Sequence, residues 1–238
     1  GDILSRIRKR GSSANREDED VARIQNRAPR ETYGRSAIGI VSNYGDANVQ
    51  LGLISHMQSC GVGRIVYSGP ISILNEPAGL WKLIRNGEVE WVYGRAEKPR
   101  LAPEVGYLPS GPEEIEVNGV LIRHFAISPG GGEPVRFGQL QWPPPGSGQQ
   151  EAIEATARGH DQRVIVIGSG LEYERWGFDV LTERWELVEQ NVPGYAETPV
   201  VHIELPPEER TVIVHPTSRG SYCSVIEPDA DRLVLLML

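Results

Sequence analysis

Ala37-Ile38-Gly39-Ile40-Val41-Ser42-Asn43-Tyr44-Gly45-Asp46-Ala47-Asn48 is the stretch that decides the fold. It begins as a β-branched apolar run of strand length and turns polar after Ser42. It then opens onto residues 47–60, where Val49, Leu51, Leu53, Ile54 and Met57 recur at mostly helical spacing and Gly61 reads as a C-cap. Arg64-Ile65-Val66-Tyr67-Ser68 predicts a second strand, residues 76–86 a second amphipathic helix stopped by Asn86-Gly87, and Val89–Tyr93 a third strand. The order is βαβαβ. Right-handed crossovers make such a unit a mostly parallel sheet covered by helices.

The second half reads differently. Glu114–Val117, Asn118-Gly119 and Val120–Ile122 predict a hairpin with a type I′ turn. A Gly/Pro-rich loop, 128–148, contains Trp142-Pro143-Pro144-Pro145-Gly146, which either stiffens the loop or presents a polyproline surface. Residues 149–159 predict a helix and Arg163–Gly168 a buried strand. Phe178–Leu181 and Trp185–Val188 predict a hairpin, and further strands follow near 199–204, 210–215, 222–227 and 232–237.

Upstream of the deciding stretch, composition changes. Residues 1–35 hold nine Arg or Lys against six Asp or Glu, so the other 203 residues carry −11 of the net −8. We expect an extended arm over 1–36 and one domain over 37–238. The arm is either a solvated tail or a docking segment. An acidic body repels nucleic acid and anionic membranes, so nucleic acid can be met only through the basic arm, and no membrane insertion is expected. Nothing at the N-terminus resembles a signal peptide, and a cytoplasmic or organelle interior, not secretion, is expected. Two cysteines, Cys60 and Cys223, make no disulfide scaffold, and five scattered histidines form no HxH or HExxH pair.

Ligand sites of open α/β sheets gather past the carboxyl ends of strands. Those loops read Asn43-Tyr44-Gly45-Asp46-Ala47-Asn48, Gly69-Pro70, Gly94-Arg95-Ala96-Glu97, Ala126-Ile127-Ser128-Pro129, Gly168-Ser169-Gly170-Leu171 and His215-Pro216-Thr217-Ser218-Arg219-Gly220. In this order they resemble the calcineurin-like metallophosphoesterases, especially the small YfcE-like and diadenosine-tetraphosphatase-like members, over residues 37–238. The family frame is S-D-x-H-G-N, G-D, G-N-H-E/D, H-G, G-H-x-H and N-P-G-S-x-G. Ser42, Gly69, Gly94, Glu97, Gly168, Pro216, Ser218 and Gly220 keep it.

The resemblance implies an α/β sandwich of two mixed sheets flanked by helices. It also places the family's metal ligands on Asn43, Gly45, Pro70, Arg95, Ala96, Ala126 (or, shifted, His124), Ser169 and Leu171, with His215 in place of an Asn. Two bridged metal ions need several N and O ligands each, and Pro for the bridging Asp removes the pair's centre. The expectation is a degenerate member with no cofactor and no catalytic residue, working as an interaction subunit. The retromer subunit of this fold and the B subunits of replicative polymerases are precedents. Protein partners are then expected at residues 1–36 and the 128–148 loop.

Two rival readings stay open. One is a phosphodiesterase or phosphatase with ligands relocated to Asp46, Glu97, His124, His160, Asp161 and His215. Against it, Asp46 suits a helix cap, Glu97 a surface acid beside Arg95, His124 an alternating strand position and His160-Asp161 a helix end. The other is a metal-free phosphate or nucleotide module with Arg95, Ser169, Ser218 and Arg219 as donors. Gly168-Ser169-Gly170 lacks a full G-x-S-x-G frame, leaving a triad of Ser169, Asp161 and His215 thinly supported, and Gly130-Gly131-Gly132 has no Lys-Ser/Thr behind it. Five tryptophans, at 81, 91, 142, 176 and 185, read as core and loop anchors.

Overall fold

A computed structural model describes residues 31–42, 47–69, 78–93, 112–127, 129, 148–170, 172–191, 200–216 and 222–237. Every strand and helix expected from the sequence is present, within about two residues at most ends, although the strand expected over Phe178–Leu181 begins four residues earlier, at Glu174. The first sheet takes the order β3-β2-β1-β11-β12-β9. It is built from β1 (Ile38–Ser42), β2 (Arg64–Ser68), β3 (Glu90–Val92), β9 (Val200–Glu204), β11 (Tyr222–Glu227) and β12 (Arg232–Met237). The second takes the order β4-β5-β6-β10-β7-β8. Its strands are β4 (Glu114–Val117), β5 (Val120–Arg123), β6 (Val164–Gly170), β7 (Glu174–Asp179), β8 (Arg184–Gln190) and β10 (Thr211–Pro216).

The βαβαβ unit is parallel as predicted, β1 with β2 and β2 with β3. The sheet around it is not mostly parallel, however, because β11 joins β1 antiparallel and β12 and β9 continue antiparallel. The cause is local. Pro228–Ala230 form one 3-10 turn and Asp231 takes φ +50°, folding β12 straight back on β11 in a hairpin where a crossover would be needed for parallel pairing. The second sheet is mixed too: β5, β6 and β10 are parallel neighbours, while β4, β7 and β8 lie antiparallel at its flanks. Asn118 and Gly119 both adopt positive φ, 49° and 78°, the type I′ geometry that Asn-Gly supplies between β4 and β5.

Three apolar clusters show how the layers stack. Ile38, Ile40, Val66, Ile226 and Leu235 of the first sheet pack with Ile122, Val164, Val166 and Ile213 of the second, so the sheets share an inner core. On the outer face of the first sheet lie Leu53, Ile54 and Met57 of helix α1 (Ala47–Ser59) and Leu80 of helix α2 (Ala78–Arg85), against Val41, Ile65, Tyr67 and Cys223. On the outer face of the second, Ala152, Ile153 and Ala157 of helix α3 (Gln149–Ala157) cover Ile165, Ile167, Val212, Trp176 and Trp185. Alternation along each central strand therefore sends one set of side chains to the inner core and the other to a helix. Gly39 is needed for this: a Cβ there would lie 2.5 Å from Met57 Sδ of α1.

Residues 31–36, assigned to the arm by composition, run along the body. Tyr33 is buried, its N–H donates to the Cys60 carbonyl at 3.3 Å, and the Gly34 N–H donates to Glu227 Oε1 at 2.9 Å. Glu227 is buried and also accepts from Arg232, so one carboxylate ties the arm's end to the β11–β12 hairpin. Both cysteines are buried and free, and burial pushes the Cys223 thiol well above its ordinary range.

Candidate functional site

The carboxyl ends of β1 and β2 come level because the strands pair in register, with Ser42 opposite Ser68. Each ends an apolar strand on a hydroxyl, and each hydroxyl is taken by an imidazole from the other sheet. Ser42 Oγ is hydrogen-bonded to Nδ1 of His215 on β10 at 2.8 Å. Ser68 Oγ is hydrogen-bonded to Nδ1 of His124, the residue after β5, at 2.9 Å. All four residues are buried, His124, Ser68 and His215 completely. Two Ser–His pairs thus stand side by side and lock the sheets together at one end of the inner core.

Gly168 of β6 makes room for them. A Cβ at that position would collide with Ser68 Oγ and lie 2.8 Å from Ser68 Cβ and 3.4 Å from Ser42 Oγ. The neighbouring strand carries a register shift between Val214 and Pro216, where β6 holds the extra residue, and the buried Ser169 sits in that bulge. Helix α1 fixes the other side: Gln50 Nε2 donates to the Ser42 carbonyl at 3.0 Å, and Tyr67 Oη donates to Gln50 Oε1 at 3.2 Å. A ring stack closes the flank, His124 lying edge-on to Phe125 at 4.7 Å and tilted against Tyr93 at 5.4 Å. Trp91 stacks on Tyr93 and donates its indole N–H to the Gly69 carbonyl at 2.7 Å.

The His215 imidazole is kept neutral. Burial holds the His215 imidazole down to about 4, against an ordinary value of 6.5, so near neutral pH it is uncharged. A neutral imidazole bonded through Nδ1 to a hydroxyl puts no charge into the core.

Of the residues singled out from the sequence, His124 and His215 are brought to this cluster, and Ser169 and the buried Ala126 lie at the adjoining ends of β6 and after β5. Asn43, Gly45, Asp46, Pro70, Arg95, Ala96, Glu97, Leu171, Ser218 and Arg219 fall outside the described residues, as does nearly all of the 128–148 loop. His160 is drawn elsewhere, with Nε2 3.6 Å from Glu114 Oε2, and Asp161 is exposed. A triad of Ser169, Asp161 and His215 is excluded by strand geometry. Asp161 precedes β6 and Ser169 lies near its far end, on the order of 20 Å away at about 3.3 Å per residue. Sequence reasoning kept Ser42 only as part of the frame and passed over Ser68. The signal was available: both are polar residues ending apolar parallel strands of equal length.

Among the described residues there is no group of three or more His, Cys, Asp or Glu able to hold a metal ion. Nor is any described helix long and apolar enough to cross a membrane. Comparison of the chain with family models, with curated proteins and with solved structures found no match.

Proposed function

We propose that this chain is a degenerate, metallophosphoesterase-like sandwich that serves as a structural and interaction subunit of a larger assembly, not as an enzyme. The observation that carries the reading is the pair of buried Ser–His contacts, Ser42–His215 and Ser68–His124. In the family resembled, this junction of strand ends would hold carboxylates and imidazoles turned toward two metal ions. Here the ligand positions just past these strand ends hold Asn43 and Pro70, and the serines that precede them, Ser42 and Ser68, are bonded to His215 and His124. The family's bridging carboxylate position is Pro70, which offers no ligand. A core joined this way keeps its two sheets together without a metal, so the fold survives the loss of the chemistry.

The test is metal analysis of the full chain purified without chelator, followed by assay on a chromogenic phosphodiester with added Mn²⁺ or Zn²⁺. The expected result is far less than one equivalent of transition metal and no turnover. One equivalent or more, with activity, overturns the reading in favour of relocated ligands. A nucleotide-dependent rise in melting temperature that Arg95→Ala abolishes overturns it in favour of a metal-free phosphate-binding module.

A further inference from the structure

All four large hydrophobics that stand exposed among the described residues lie on one hairpin: Val180 and Leu181 at its tip, Leu187 and Val188 on β8. β8 is the last strand of its sheet, so one side of its backbone has no strand partner among the described residues. A seven-residue edge strand with exposed Leu and Val is a template for another extended segment. The surroundings say which kind. Glu183 and Glu186 are exposed on the hairpin, and Glu151 is exposed on α3, which meets β8 through Arg184 and Gln150. Arg184, the basic residue of β8, is thereby engaged, its Nη2 donating to Gln150 Oε1 at 3.0 Å. The edge is apolar with an acidic border.

We propose that residues 3–10 of this same chain, Ile3-Leu4-Ser5-Arg6-Ile7-Arg8-Lys9-Arg10, dock along β8. The segment has three large apolar residues and four basic ones, with no Gly, Pro or acid to interrupt strand pairing. No stretch of equal length elsewhere in the chain is as basic. Extended, its alternation puts Ile3, Ser5, Ile7 and Lys9 on one side and Leu4, Arg6, Arg8 and Arg10 on the other. That matches an edge strand with Leu187 paired beside Trp176 on one face and Glu186 beside Gly177 on the other. Residues 11–30 link the segment to Glu31, which His202 holds on the body at 2.7 Å. Such a linker reaches about 65 Å when extended, more than the width of a domain this size. The inference does not rest on the reading of the Ser–His junction.

The test uses the full chain. A zero-length carbodiimide joins lysine amines to carboxylates in direct contact, and the chain has three lysines, so Lys9 adducts are easily assigned. Cross-links from Lys9 to Glu183 at the hairpin tip or to Glu151 of α3, on the side that carries Leu187, are expected within one molecule, verified by mixing isotopically light and heavy protein. In hydrogen exchange, amides of 184–190 are expected to exchange about tenfold faster in R6E/R8E/K9E/R10E, and likewise in Leu187→Lys, with the inner strands unchanged. Equal exchange in wild type and variants, or Lys9 cross-links only elsewhere, overturns the proposal. Cross-links confined to light–heavy pairs also overturn it, because the occupant is then a second copy.

Discussion

Ser42 Oγ lies 2.8 Å from His215 Nδ1 although they are 173 positions apart, and the bond runs from the third strand in order of one sheet to the fourth of the other. With Ser68–His124 beside it, this contact is the polar closure of a core that is otherwise apolar on both sheets. Buried hydroxyl–imidazole pairs are costly to leave half made, so each partner enforces the register of the strand that carries the other.

The His215 pair makes stability depend on pH. Burial holds the folded imidazole down to about 4, below its ordinary 6.5, so in that range the unfolded chain binds more protons than the folded one. Stability from this group is therefore complete above about pH 6.5 and is lost as pH falls toward 4, by about 3 kcal/mol in all. His56, lowered by burial as well, acts in the same direction. Urea unfolding at pH 7.5, 6 and 5 should show the decline, and His215→Asn, which keeps a polar group near Nδ1 without titrating, should flatten it.

Removing one hydroxyl strands its imidazole. Ser42→Ala and Ser68→Ala should each cost about 1–3 kcal/mol, since the His Nδ1 loses its partner in a site closed to water. Ser68→Ala combined with His124→Phe should cost less than the sum of the two single changes, because the second removes the group the first left unsatisfied. Denaturant midpoints of the four proteins measure the coupling.

How much of this was legible in the sequence follows from which forces are local. The strands and helices could be read because 2-residue and 3.6-residue periodicities are local, and Asn118-Gly119 and Gly61 are turn residues whose positive φ, +49°, +78° and +88°, ordinary residues resist. The pairing of β1 with β11 could not, since it joins Ile38 to Ile226 across most of the chain and depends on the whole core. The same holds for the junction. His124 and His215 were visible as polar residues near strand ends, yet nothing local says that a serine of the other sheet faces each. Residues 31–36 were read as arm because six residues with one aromatic form no pattern, whereas Tyr33 is held by Cys60, whose position is set by α1.

Gly168 tests the packing of the junction directly. Gly168→Ala puts a methyl into Ser68 and should cost about 1–3 kcal/mol by overpacking. Ser68→Gly in the same molecule removes both offending atoms, so the double variant should be more stable than Gly168→Ala plus Ser68→Gly added independently. Thermal and urea unfolding of the set decide it; simple additivity would mean that the two residues do not meet.

Tyr33 separates the arm's contribution from the body's. Its ring is buried against the first sheet's outer cluster, while its hydroxyl has no hydrogen-bond partner among the described residues. Burial, and then Glu31 nearby, push the phenol above its ordinary range, so it stays protonated near neutral pH. Tyr33→Phe should then be neutral or slightly stabilising, because it deletes an unsatisfied polar atom and keeps the packing. Tyr33→Ala should cost about 3–5 kcal/mol, as loss of a buried aromatic does, by emptying the space between Cys60, Cys223 and the end of α1. Equal costs for the two variants, measured at one pH by urea unfolding, would show that the hydroxyl and not the ring holds this segment to the body.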